Sequence, residues 1–143
     1  MTEEDALISG TPGAWYVAFY GKGRRALWWD WLCPLDFQHV LAFGYVAHAD
    51  RWVIYDVTQA RTVVRALTPE LISGWIESLP EHRKILLFEG GDDHAPPFWR
   101  TGFWCVPAVA HLIGARSRAL RPRALFRDLV RLGATPAFER PDT

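Results

Sequence analysis

Apolar residues in this chain fall into compact blocks separated by turn-forming residues, and the length of each block predicts an element. Residues 14–20, running through Val17 to Tyr20, form a continuous apolar run closed by Gly21-Lys22-Gly23 and read as a strand. Residues 37–46 read as a second, buried strand. A turn around Ala47-His48-Ala49-Asp50 leads into residues 51–57, so the two strands form a hairpin. Residues 62–67 predict a third strand in this group, and residues 83–89 another. Thr68-Pro69-Glu70 marks a helix start, with threonine at the cap and proline at the first helical position. That helix runs to about Leu79 and stops at Pro80. The stretch from Gly90 to Gly102 contains Gly-Gly, Asp-Asp and Pro-Pro pairs and reads as loop. A further apolar helix follows from Cys105 to Gly114. The last helix opens at Arg121-Pro122, carries Leu125, Phe126, Leu129 and Leu132 at helical spacing, and ends at Gly133. Residues 28–34, with three tryptophans and Pro34, suit neither a clean helix nor a clean strand.

These blocks predict an α+β fold, an antiparallel sheet with helices packed on it. The expected organisation is a single domain over residues 14–134, between a flexible lead-in at 1–13 and a frayed tail at 135–143. A chain of 143 residues, half of them apolar, suffices for one such core and not comfortably for two. Sixteen basic and sixteen acidic residues cancel, so no global charge points to nucleic acid or to a membrane. The charge is nevertheless uneven: Glu3, Glu4 and Asp5 open the chain, whereas Arg116, Arg118, Arg121, Arg123, Arg127 and Arg131 crowd its end. No basic-then-apolar leader and no membrane-length apolar run is present, so the expectation is a cytoplasmic protein without a cleaved export signal. Cys33 and Cys105 allow at most one disulfide and are expected as free thiols in a reducing compartment.

Cys105 is the candidate nucleophile. Proline is tolerated only in the first turn of a helix, so Pro107 pins the helix start to within a residue or two of Cys105. A cysteine there feels the positive end of the helix dipole and several unpaired backbone N–H groups, which favour thiolate and also suit an oxyanion. The alternative is a small apolar residue in a buried helix. A thiol nucleophile needs a base. His111 lies further along the same helix on another face, His82 in an exposed loop and His48 in a hairpin turn. His94, in the polar loop close to Cys105, is a fallback. His39 stands apart as a polar residue at the start of an otherwise apolar strand. If Val46 pairs with Arg51, then His39 falls opposite Thr58 and Leu41 opposite Asp56, which places Asp56 and Thr58 on the face of His39. A slip of one residue would present Tyr55 and Val57 instead. Asp56 also has a bland alternative, bonding the backbone of the next turn.

The segments Asp36-Phe37-Gln38-His39-Val40-Leu41-Ala42-Phe43, Arg51-Trp52-Val53-Ile54-Tyr55-Asp56-Val57 and Phe103-Trp104-Cys105-Val106-Pro107-Ala108-Val109 together carry a resemblance. In this order they resemble the circularly permuted papain-like thiol hydrolases, a group that includes NlpC-type cell-wall peptidases and lecithin:retinol acyltransferase-like proteins. The closing segment from Leu120 to Leu129 is similar to the helix that follows the cysteine helix in small phage- and prophage-type members. The resemblance spans residues 14 to 133. It implies Cys105 as nucleophile, His39 as base and Asp56 as orienting group, with Thr58 or Gln59 as alternatives for the third position. The Cys105 backbone N–H, with Tyr16 or Tyr20, would hold the oxyanion. The acyltransferase branch carries Asn-Cys-Glu-His around its nucleophile; Phe103-Trp104-Cys105-Val106 departs from that, so lipid acyl transfer is not implied.

The implied function is hydrolysis of an amide bond in a peptide or peptidoglycan-like substrate, without cofactor or metal. The rival is a non-catalytic structural or interaction protein on the same scaffold, such as a virion or assembly component with a protein partner. To reach a cell wall without a leader, the protein is expected to need lysis, a phage particle or a dedicated exporter. Cys33, His39 and Cys105 lack metal-ligand spacing, so zinc is not expected. Trp28, Trp29 and Trp31 suit either a stacking platform for sugar or peptide or simple packing over a small sheet. Gly90-Gly91 is followed by no lysine motif and is not a phosphate loop. Arg123, Arg127 and Arg131 recur at helical spacing opposite an apolar stripe, as on an ordinary solvated face, and nucleic acid is not the expected partner.

Overall fold

A computed structural model describes residues 12–21, 38–58, 60–89 and 105–139. In chain order these form β1 (Trp15–Tyr20), β2 (His39–Val46), β3 (Arg51–Val57), β4 (Thr62–Leu67), α1 (Pro69–Ser78), β5 (Lys84–Phe88), α2 (Cys105–Leu112), α3 (Pro122–Arg131) and β6 (Thr135–Ala137). The strands make one six-stranded sheet in the order β4-β3-β2-β1-β5-β6, with every neighbouring pair antiparallel. The fold is α+β, with an open antiparallel sheet and three helices among the described residues.

The unbroken apolar runs of β1 and β2 have a direct cause: both strands are central and covered on both faces. Val17, Phe19, Val40 and Ala42 face the core made with α2 and α3, which adds Val106, Val109, Leu125 and Leu129. Ala18, Leu41 and Phe43 face the other way, onto Ile72 and Ile76 of α1. The sheet is thus the middle of three layers.

Local signals act largely as their chemistry dictates. Pro69 opens α1 after Thr68, although the threonine hydroxyl makes no capping bond; the Leu71 N–H donates to the Thr68 carbonyl at 3.0 Å instead. Gly114 and Gly133 both take positive φ, 69° and 96°. Each ends its helix with a paired return, in which Ala115 donates to Ala110 at 3.0 Å and Ala134 to Leu129 at 2.9 Å.

The tail expectation for residues 135–143 needs correction. Thr135–Ala137 form β6, pairing Thr135 with Leu87 and Ala137 with Ile85. The return at Gly133 aims the chain along the free edge of β5, and an edge strand tolerates Pro136. A three-residue strand containing proline shows no alternation, so its sequence carries no sign of pairing. The tryptophans at 28, 29 and 31, Cys33, Gln59, His94 and the loop from Gly90 to Gly102 lie outside the described residues.

Candidate active site

Cys105 is the first residue of α2, and Pro107 occupies the first turn. The first turn carries no acidic side chain. The helix is buried from Cys105 through Ala110, which fixes its position against the sheet. Its packing partners are Val17, Phe19, Val40 and Ala42 in the same core.

The hairpin adopts the register that pairs Val46 with Arg51 and Ala42 with Tyr55. Continued by one pair, it sets Leu41 opposite Asp56, so Asp56 shares the face of His39. His39 Nε2 lies 2.6 Å from Asp56 Oδ1. The Cys105 side chain lies close enough to the same imidazole to influence its protonation. With Nε2 committed to the carboxylate, Nδ1 is the nitrogen left to take a proton from sulfur.

Strand alternation puts Tyr20, His39 and Asp56 on the α1 side of the sheet, whereas Cys105 belongs to the opposite core. They meet because they sit at or near the ends of their elements. Tyr20 closes β1 and pairs with His39, which opens β2; Asp56 is the penultimate residue of β3, and Cys105 opens α2. The site therefore lies at one end of the sheet, where the two layers come together. Cys105 is buried (9% exposed), whereas the side chains of His39 (18%) and Asp56 (26%) are partly exposed.

Burial is the largest single influence on His39 and lowers its pKa. Hydrogen bonds to Asp56 and Cys105, together with their negative charges, outweigh it and push the pKa from 6.5 up to about 9. The imidazole therefore favours its protonated form beside the Asp56 carboxylate. Tyr20 responds in the opposite chemical sense: burial, then the charges of Asp56 and Cys105, raise its pKa and keep the phenol protonated. Its ring meets the imidazole edge-on at 5.3 Å between centroids.

No family model, curated protein or solved structure matches this chain. The site must therefore be read from its own chemistry.

Of the residues singled out in the sequence, Cys105, His39 and Asp56 come together. Thr58 does not join them. Its hydroxyl donates to the Arg61 carbonyl at 2.8 Å and accepts from the Arg61 N–H at 3.1 Å, closing the β3–β4 turn. Tyr16 is also displaced from the site: it stacks on Phe43 at 5.3 Å and packs against Trp52 and Phe138. Tyr16 and Tyr20 share a face by alternation, and the sequence alone does not separate them. The β1–β2 pairing does, because Tyr20 is the partner of His39. His48, His82 and His111 are exposed and take no part.

Proposed function

We propose that the chain is a cysteine hydrolase that cleaves an amide bond, with a permuted papain-like arrangement of its parts. The observation that carries this reading is the convergence of a helix-start thiol, an imidazole and a carboxylate from three separate elements. Asp56 orients the ring and stabilises its protonated form, as the 2.6 Å contact allows. In the resting pair Cys105 has already passed its proton to His39, and the thiolate sulfur attacks the carbonyl carbon. The resulting oxyanion is held by the Cys105 backbone N–H and the Tyr20 hydroxyl. As the tetrahedral intermediate collapses, the C–N bond breaks and the His39 imidazolium protonates the departing amine, leaving an acyl-thioester. His39 then takes a proton from water as that water attacks the thioester, and the carboxylic acid leaves with Cys105 restored as thiolate. A peptide, or a peptide of a cell-wall polymer, is the proposed substrate class.

An activated acetyl ester tests the chemistry without knowledge of the natural substrate. In a Cys33→Ser background, peptide mapping should find one acetyl group on Cys105, formed at least tenfold more slowly in His39→Ala. A folded protein that is not acetylated at Cys105 contradicts the proposal.

The slight exposure of Cys105 favours a second reading, a non-catalytic interaction module with an inert core thiol. Under it, Cys105 is modified only on unfolding, and His39→Ala leaves that behaviour unchanged.

A further inference from the structure

We propose that the outer edge of β4 pairs with the same edge of a second copy of this chain, joining two sheets across a twofold axis at Val64. Among the described strands β4 ends the sheet, with β3 as its one neighbour. The Thr58 N–H donates to the Arg61 carbonyl at 2.9 Å, which makes these two a hydrogen-bonded pair at the start of the β3–β4 ladder. Such pairs alternate along an antiparallel ladder, so Val63, Arg65 and Leu67 turn their backbone groups toward β3. Thr62, Val64 and Ala66 turn theirs outward, and all three residues are exposed. The pairing with β3 runs unbroken from Thr62 to Leu67, with no proline and with Arg65 as the single charge. Edge strands that stay single are usually short, bulged, broken by proline or covered, and β4 is none of these. The opposite edge is protected in that way: β6 has three residues, and the middle one is Pro136.

The choice of a second copy as occupant rests on the symmetry of the strand. The outward backbone groups are centred on Val64, so a twofold axis there sets Val64 opposite its own copy and Thr62 opposite Ala66. Each outward residue then exchanges both of its backbone hydrogen bonds, and none is left over. Val64 is 64% exposed and lies across the ladder from Tyr55. At the axis the two valines cover each other and carry the row of Tyr55 and Val64 on into the second sheet. Arg65 falls opposite Val63 of the second copy, so the like charges do not face each other directly. Pairing β4 with β6 would instead build an open stack, and Pro136 opposes it; β4 against β4 closes on itself. One strand per copy makes a small interface, so the dimer should dissociate on dilution.

Sedimentation of the full chain over a dilution series, with amide hydrogen exchange followed by NMR, tests this without any activity measurement. The wild-type chain should pass from dimer to monomer on dilution. The N–H groups of Thr62, Val64 and Ala66 should exchange slowly only in the dimer, whereas those of Val63 and Arg65 should stay protected in both states. Val64→Pro removes the outward N–H from each copy without touching a bond to β3, and should weaken dimerisation by about tenfold or more, the scale of two lost backbone hydrogen bonds. Val64→Lys sets two ammonium groups against each other at the axis and should also leave the chain monomeric. Circular dichroism establishes that the variants are folded, and lysine at so exposed a position keeps the test valid if proline disturbs the strand. A wild-type chain that stays monomeric at its highest soluble concentration overturns the proposal. So does a dimer that folded Val64→Lys leaves intact, or one in which the N–H groups of Thr62, Val64 and Ala66 gain no protection.

Discussion

His39 Nε2 and Asp56 Oδ1 stand 2.6 Å apart although seventeen residues separate them in the chain. The β2–β3 hairpin makes that contact, and it determines how the ring titrates. Asp56→Asn removes the charge and keeps the shape. The His39 titration midpoint, followed by NMR, should fall from about 9 by one to three pH units, as expected for loss of an adjacent opposite charge. A midpoint that stays near 9 would show that Asp56 does not govern the ring.

The same shift sets a dependence of stability on pH. A histidine whose pKa is raised on folding contributes stability fully below its unfolded value of 6.5. That contribution is lost as pH rises through about 9. Denaturant unfolding of wild type and His39→Gln should therefore differ most near pH 6 and converge above pH 9. For the proposed hydrolase, the activity profile should carry an alkaline limb near 9 that moves down in Asp56→Asn.

Tyr20 and Tyr16 make an internal control. Tyr20→Phe removes the hydroxyl proposed to hold the oxyanion, and should lower turnover by about 10²-fold, the scale of a lost oxyanion donor. Tyr16→Phe, altering a residue stacked on Phe43 away from the site, should leave turnover within about twofold. Equal losses in both variants would point to packing in place of chemistry.

Gly44 tests how the chain enters the sheet. A Cβ at this position would lie 2.6 Å from Pro12 Cβ and 3.0 Å from the Ala14 carbonyl oxygen. Gly44→Ala should cost about 1–3 kcal/mol in chemical denaturation, the usual range for overpacking a filled site. Gly74→Ala meets nothing within 4 Å and sits inside α1, so it should stabilise by up to about 1 kcal/mol.

Much of this arrangement is legible in the sequence because its signals are local. Pro107 places Cys105 at a helix start, and a short turn between two apolar runs sets the hairpin register that brings Asp56 to His39. What is not legible depends on pairing between distant segments. Nothing local says that β1 lies between β2 and β5, and this position is what selects Tyr20 over Tyr16. Strand β6 is hidden for the same reason: the free edge of β5 defines it, and its own three residues do not. Thr58 has the right face for a third site residue, yet its hydroxyl is spent on Arg61, a competition that no face pattern records.

The central claim is that His39 activates Cys105, and the rate of thiol alkylation across pH tests it most directly. In a Cys33→Ser background, iodoacetamide should modify folded Cys105 at pH 6, well below the range of an unperturbed thiol near 8.5. In His39→Ala the rate at pH 6 should collapse and recover only as pH approaches that ordinary value. A folded Cys105 that stays unmodified at every pH, or a pH profile identical in the two proteins, would contradict the account.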